Sequence, residues 1–286
     1  MDGLIPNTES LDSRQFYIAV RRLADSLGFG ADRSAALGQG LEYVQSRPYV
    51  AGDPVKAIDW RVTARTRKYH IKEFEAPRRL PAYLLIDTSA SMTLASGKRS
   101  KYETATYIAG GLALACLDRI SPVGLLGVGS SPLHVRPSLS RENILGWLHR
   151  LRTYNWHEQT KMATRVAQLA PRLSERNLVI VLSDLHEPDA VPVLKSLSQK
   201  HDCVVLLFRD PAERGMPGVG WMRAREAETG RTVVSRGHHQ WSNAEAVAED
   251  LRRGAVDCLI IDVDQPFIPR LRHFFKSRGT LGQGTR

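Results

Sequence analysis

Two short apolar runs, each ending in a carboxylate, organise most of this chain. Tyr83-Leu84-Leu85-Ile86 runs into Asp87, and Leu178-Val179-Ile180-Val181-Leu182 runs into Ser183-Asp184. Unbroken apolar runs of this length read as strands buried on both faces. Between them, residues 101–120 place Tyr102, Ala105, Ile108, Ala109, Leu112 and Cys116 on one helical face. The small run Ala109-Gly110-Gly111 predicts a close approach of this helix to the sheet. Residues 123–128 read as a strand, 132–136 as an antiparallel edge and 141–151 as a helix. Residues 153–159 form a loop that delivers Thr160 to a helical stretch over 161–173. Helices near 190–199, 243–253 and 267–278 alternate with strands at 203–208 and 257–263. Residues 224–234 read as a hairpin turning at Glu228-Thr229-Gly230. This alternation predicts an α/β fold: a doubly wound, mostly parallel sheet with helices on both faces.

The amino-terminal part is patterned differently. Residues 12–27 space Phe16, Ile18, Ala19, Leu23 and Leu27 as a helix would, and residues 41–45 and 69–75 alternate as short strands do. The expected organisation is residues 1–79 as an amino-terminal helix with a β-rich appendage, 80–278 as the α/β domain and 279–286 as a disordered tail. Asp53 and Asp59 lie among Arg47, Lys56, Arg61, Arg65 and Arg67, which predicts a network of ion pairs and hydrogen bonds that fixes the appendage, in preference to a second ligand site. Ile58 and Trp60 are expected to pack.

Composition narrows the class. With 42% hydrophobic and 24% charged residues, the 286-residue chain reads as soluble and globular. Cys116, Cys203 and Cys258 have no paired spacing and lie in apolar stretches, so they read as buried thiols in a reducing compartment. The start has no signal-peptide pattern, and the longest apolar helical stretch, 107–117, is too short to span a bilayer. The expected location is cytoplasmic. The net charge of +10 comes from dispersed Lys and Arg without stacking aromatics or a nucleic-acid motif. It therefore points to an acidic protein partner before nucleic acid.

The candidate chemistry sits on the strand ends. Asp87-x-Ser89-x-Ser91 puts one carboxylate and two hydroxyls at a strand's carboxyl end, where open α/β sheets bind ligands. Hard oxygen donors without sulfur or imidazole suit Mg²⁺ or Mn²⁺. The competing reading is that Asp87 and Ser89 cap the next helix. Thr160 likewise sits where it could cap.

Taken together, an Asp-x-Ser-x-Ser strand end, a Thr at a loop-to-helix junction and a Ser-Asp strand end resemble a von Willebrand factor A domain. That resemblance implies a metal-ion-dependent adhesion site formed by Asp87, Ser89, Ser91, Thr160 and Asp184. In such sites the hydroxyls touch the metal, and one or both carboxylates act through water. The segment from Arg47 to Trp60, with Gly52-Asp53 and Ile58-Asp59-Trp60, is followed by Thr63-Ala64-Arg65-Thr66 and Lys72-Glu73-Phe74-Glu75. It resembles a bacterial family of unknown function whose members are commonly encoded beside MoxR-type AAA+ ATPases. The resemblance covers residues 38–278. Many relatives carry two amino-terminal transmembrane helices and a longer β region; this chain looks like the short, soluble branch.

Other chemistries find less support. Ser96-Gly97-Lys98-Arg99-Ser100 lacks the spaced glycine of a P-loop, and Gly127-Val128-Gly129-Ser130-Ser131 is not a nucleophile elbow. The His238-His239 pair reads as an exposed loop, and no His-Glu-x-x-His spacing occurs. His157 and His186 lie near the loops of Thr160 and Asp184 and are candidates to line the cleft. A Mg²⁺-dependent phosphoryl-transfer enzyme would also begin with Asp at a first strand end. It would want a second acid at position 89, which is Ser, and a lysine against the phosphate. The expectation is a non-enzymatic binding module. In it a partner's acidic side chain completes the metal's shell, and the resemblance implies a MoxR-type ATPase acting in assembly or maturation of other complexes.

Overall fold

The computed structural model describes residues 13–28, 42–75, 80–153, 158–215, 220–225, 232–236 and 243–278. Two compact units divide the chain: Met1–Gly28 with Arg79–Arg286, and Phe29–Arg78. The larger begins with α1 (Ser13–Gly28).

The smaller unit pairs β1 (Glu42–Pro48) with β2 (His70–Glu75) in antiparallel register, and α2 (Trp60–Thr66) lies between them in sequence. Arg47 grips Asp53 with two bonds of 2.7 and 2.8 Å and reaches Glu73 at 3.0 Å. The expected ion-pair network is therefore present for Asp53. Asp59 differs: it caps α2 through the amides of Arg61 and Val62, both at 3.1 Å, and accepts from Ser46 at 2.7 Å. Ile58 is buried and bridges Ile71. Trp60 is 64% exposed, contrary to the packing expected of it, because two strands and one short helix offer too little apolar surface to enclose an indole.

In the larger unit β3 (Ala82–Ile86) leads to a four-residue helix, α3 (Ala90–Thr93), and then to the long α4 (Lys101–Asp118). There follow β4 (Val123–Gly127), β5 (His134–Ser138), α5 (Arg141–Thr153), α6 (Met162–Leu169) and β6 (Leu178–Ser183). The chain continues through α7 (Ala190–Ser198), β7 (Asp202–Arg209), the hairpin β8 (Trp221–Arg225) and β9 (Thr232–Arg236), α8 (Ala244–Arg253), β10 (Asp257–Asp262) and α9 (Ile268–Ser277). The six-stranded sheet has the order β10-β7-β6-β3-β4-β5, parallel except for β5. This is the expected doubly wound α/β architecture.

Strand alternation divides the core in two. Ala82, Leu84 and Ile86 join the layer of α1, α4, α5 and α9, while Tyr83 and Leu85 join that of α6, α7 and α8. Helix α6 is shorter than the 161–173 expected, since Pro171 cannot continue it and a 3-10 turn, Ala170–Arg172, takes over. The turn residues Glu228-Thr229-Gly230 and the tail 279–286 lie outside the described residues.

Two expectations change here. The sequence reading groups the amino-terminal helix with the β-rich segment, whereas α1 belongs to the larger unit and buries Phe16, Val20 and Leu23 in its core. The glycines of α4 serve that helix and not the sheet. A Cβ on Gly111 would lie 2.6 Å from Leu23 Cδ2, and one on Gly110 2.9 Å from Val20 Cγ1. Among the described residues no helix is long and apolar enough to cross a membrane.

Candidate metal centre

The end of β3 is continuous with β6: the Asp87 amide donates to the Leu182 carbonyl at 2.9 Å. The Asp87 side chain is 1% exposed. Its Oδ1 accepts from the Ser89 amide at 3.0 Å, and its Oδ2 from the Ser183 hydroxyl at 2.5 Å. Ser89 occupies the cap position of α3 but makes no side-chain cap bond. Its Oγ lies 3.0 Å from Ser91 Oγ instead, and the Ser91 hydroxyl also reaches Asp184. Helix capping thus accounts for neither side chain.

Thr160 reaches the same end of the sheet through its loop. Glu158 pairs with Ser89 and Thr160 with Gly129, while the Lys161 amide donates to the Val128 carbonyl at 2.7 Å. The Glu158 carboxylate pins the loop by accepting from Thr88 Oγ1 at 2.7 Å and from the Ser131 amide at 2.5 Å. Thr160 is not the cap of α6. Lys161 holds that position without a side-chain bond, and Glu187 accepts from the first amides, Met162 at 2.6 Å and Ala163 at 3.4 Å.

The second carboxylate meets a partner that the sequence reading missed. Asp184 is buried, and its Oδ2 accepts from Lys101 Nζ at 2.7 Å. The same ammonium donates to Glu213, and its side chain is 2% exposed. His186 Nε2 lies 3.5 Å from Asp184 Oδ2 and 3.6 Å from Glu213 Oε1. Of the two histidines expected near the cleft, His186 is placed there, and His157 lies outside the described residues, as does His238-His239. Lys101 opens α4, an end where the helix dipole disfavours a cation. That misplacement is the signal available in the sequence. Glu213 had no such signal: it sits in a 3-10 turn, Pro211–Arg214, held by an Asp210 capping box.

These surroundings set the charges apart. Burial, reinforced by nearby Asp184, pushes Asp87 up to about 6, against the restraint of the Ser183 and Ser89 hydrogen bonds. At Asp184 burial acts upward too, but Lys101 and His186 outweigh it and hold the carboxyl below its ordinary value. Lys101 is desolvated, yet Asp184 and Glu213 keep it firmly protonated. Burial also opposes the charge of His186, and Glu213 with Asp184 raises it nonetheless. Asp184 and Glu213 share the single Lys101 ammonium. Among the described residues no Lys or Arg pairs with Asp87. Asp184, His186 and Glu213 also bring one ligand atom each within 4.8 Å of one another. Hard oxygens around an unneutralised carboxylate fit a divalent cation.

Comparison with known proteins bears on the family. The chain is similar to the VWA domain of SpRpn10, at 14% identity over 72% of this chain and 98% of that one, with a TM-score of 0.43. A minor pilin, PilB from Streptococcus sanguinis, gives 8% identity over 76% and 66% of the two chains and a TM-score of 0.40. Uncharacterized proteins of Mycobacterium tuberculosis and Mycobacterium bovis are 25% identical over 247 residues, which is 85% of this chain and 76% of theirs. Residues 45–250 match DUF58, described as a protein of unknown function, and the chain belongs to that family.

Proposed function

We propose that this protein is a non-enzymatic, divalent-metal-dependent protein-binding module. Asp87, Ser89, Ser91, Thr160 and Asp184 would hold Mg²⁺ or Mn²⁺ at the carboxyl ends of β3 and β6. The observation that carries this reading is Asp87: a buried carboxylate beside two hydroxyls, with no cationic side chain to neutralise it among the described residues. Such a charge is costly unless a cation reaches it. When bound, the ion supplies an electrophilic position for an acidic side chain of a partner. The chain's own part is orientation: Ser183 and the Ser89 amide fix the Asp87 oxygens, Glu158 fixes the Thr160 loop, and Lys101 with His186 fixes Asp184. Largely neutral hydroxyl donors leave the ion positive and attractive to an acid. The net charge of +10 adds steering at low salt. The motif resemblance points to a MoxR-type AAA+ ATPase as the partner, in assembly or maturation of other complexes.

Calorimetric titration of Mg²⁺ or Mn²⁺ into metal-free protein tests the reading. One site is expected, weakened at least about tenfold by Asp87→Ala with the fold retained. Equal affinity in the two proteins would end it. Pull-down with a MoxR-type ATPase, lost in EDTA, tests the partner.

Lys101 favours a second reading, phosphoryl transfer, because that chemistry wants a lysine beside the strand-end aspartate. Its ammonium is already committed to Asp184 and Glu213, and position 89 remains Ser. Mg²⁺-dependent turnover of a generic phosphoester, abolished by Asp87→Asn, would move the conclusion there.

A further inference from the structure

We infer that Lys101 is a resident cation filling a second metal position, bounded by Asp184, His186 and Glu213, so that the centre takes one exchangeable divalent ion on its Asp87 side. This rests on the metal-binding reading above and adds to it the number of ions and the reason for that number.

The argument starts from the donors. One atom from each of Asp184, His186 and Glu213 lies within 4.8 Å of the others, close to the spacing of ligands around a single divalent ion. Two carboxylates and an imidazole would suit Mn²⁺, Zn²⁺ or Co²⁺. The Lys101 ammonium already lies among these groups, 2.7 Å from Asp184 and in contact with Glu213. The lysine side chain is 2% exposed, so it cannot swing out to solvent without unpacking the start of α4. A tethered charge of +1 there repels an incoming cation and ties up Asp184. At Asp87 no such tether exists. The pocket is thus divided: the lysine serves Asp184 through Oδ2, and Asp87 with the remaining Asp184 oxygen is left for an ion from outside. The resident cation also predicts how Asp184 takes part, since its Oδ2 is held by the lysine.

An ordinary structural ion pair would account for the burial but makes a different prediction. Losing either partner of such a pair would leave the ion count unchanged or lower it. A resident cation predicts that removing the ammonium raises the count.

The experiment counts Mn²⁺ bound to the full chain from the loss of the aqueous Mn²⁺ electron-paramagnetic-resonance signal, with folding checked by circular dichroism. Wild type is expected to bind one ion and Lys101→Met two. Adding His186→Ala to Lys101→Met should return the count to one. If Lys101→Met is insoluble, Lys101→Gln takes its place with the same expectation, since a neutral amide keeps a donor but no charge. A folded, neutral variant that binds no more Mn²⁺ than wild type overturns the inference. So does a second ion that survives His186→Ala. Wild type binding none while Lys101→Met binds one would keep Lys101 as the resident cation but overturn the ion at Asp87 and the metal reading with it. No binding by either protein overturns both.

Discussion

Two neighbouring parallel strands end on buried aspartates, and the two carboxylates behave oppositely. Asp87 at the end of β3 meets only neutral donors, a serine hydroxyl and an amide, and is pushed up to about 6. Asp184, just past the end of β6, meets an ammonium and an imidazole and is pulled down. Both follow parallel strands of one sheet, so the difference comes from the side chains around them, Lys101 from α4 first and His186 second. Burial alone raises an acid; burial with a built-in cation lowers it. The comparison separates a carboxylate that already has a built-in cationic partner from one that has none among the described residues.

The largest effect should come from breaking the internal pair. In EDTA at pH 7, Lys101→Ala is expected to cost about 3–5 kcal/mol in denaturant unfolding, because two carboxylates stay buried without their cation. A cost below about 1 kcal/mol would remove Lys101 from the account.

Asp87→Asn should act in the other direction, and its sign depends on pH. Because the folded value of Asp87 lies above its unfolded value, its contribution to stability is full below the ordinary carboxylate value of 3.8 and is lost as pH rises through about 6. Metal-free Asp87→Asn should therefore be about 2 kcal/mol more stable than wild type at pH 8 and nearly equal to it at pH 4. Asp184 has the reverse sign, contributing at neutral pH and losing that contribution as acid protonates it. Thermal melts from pH 4 to 8 therefore read Asp87 alone, since Asp184 titrates below that range; a variant less stable than wild type at pH 8 would refute the assignment of Asp87 as unneutralised.

Ser183→Ala should cost about 1 kcal/mol and drive Asp87 further up, since it removes the 2.5 Å hydrogen bond to the ionised form. Mn²⁺ titrations from pH 5 to 8 should then show binding beginning at a higher pH than in wild type. An unchanged profile would mean that Ser183 does not tune Asp87.

The smallest effect is a control for burial without a partner. Cys116, Cys203 and Cys258 are all buried, and desolvation pushes each thiol up to about 12. Ellman's reagent at pH 8 should find fewer than one thiol in the native protein and three after denaturation. Fast native reaction would show that this interior is wetter than the aspartate comparison requires.

The architecture was legible because its signal is local. Short, β-branched apolar runs such as Leu178 to Leu182 favour buried strands, and helical spacing between them leaves few topologies. Asp87, Ser89 and Ser91 share one turn, so their proximity follows from the sequence. Lys101, Glu158 and Glu213 were missed for a common reason: each acts far along the chain from where it stands. Glu158 crosses to Thr88, 70 positions away, and Lys101 to Glu213, 112 away. Nothing in periodicity encodes such pairings. Gly129 held the one usable trace of the Glu158 contact, since a Cβ there would fall 2.2 Å from Glu158 Oε1. Gly110 and Gly111 signal a close approach, but their partners, Val20 and Leu23 of α1, lie far back along the chain and leave no local mark.

Helix α4 links these observations mechanically. Its 18 residues make a rod about 27 Å long at 1.5 Å per residue. The rod is encased on nearly every side, carries Lys101 at its head and meets α1 at Gly110 and Gly111. A stiff rod in a close-packed sleeve does not bend to absorb a displacement at one end. One continuous rod thus holds both the lysine that serves Asp184 and the glycine notch that seats Val20 and Leu23 of α1.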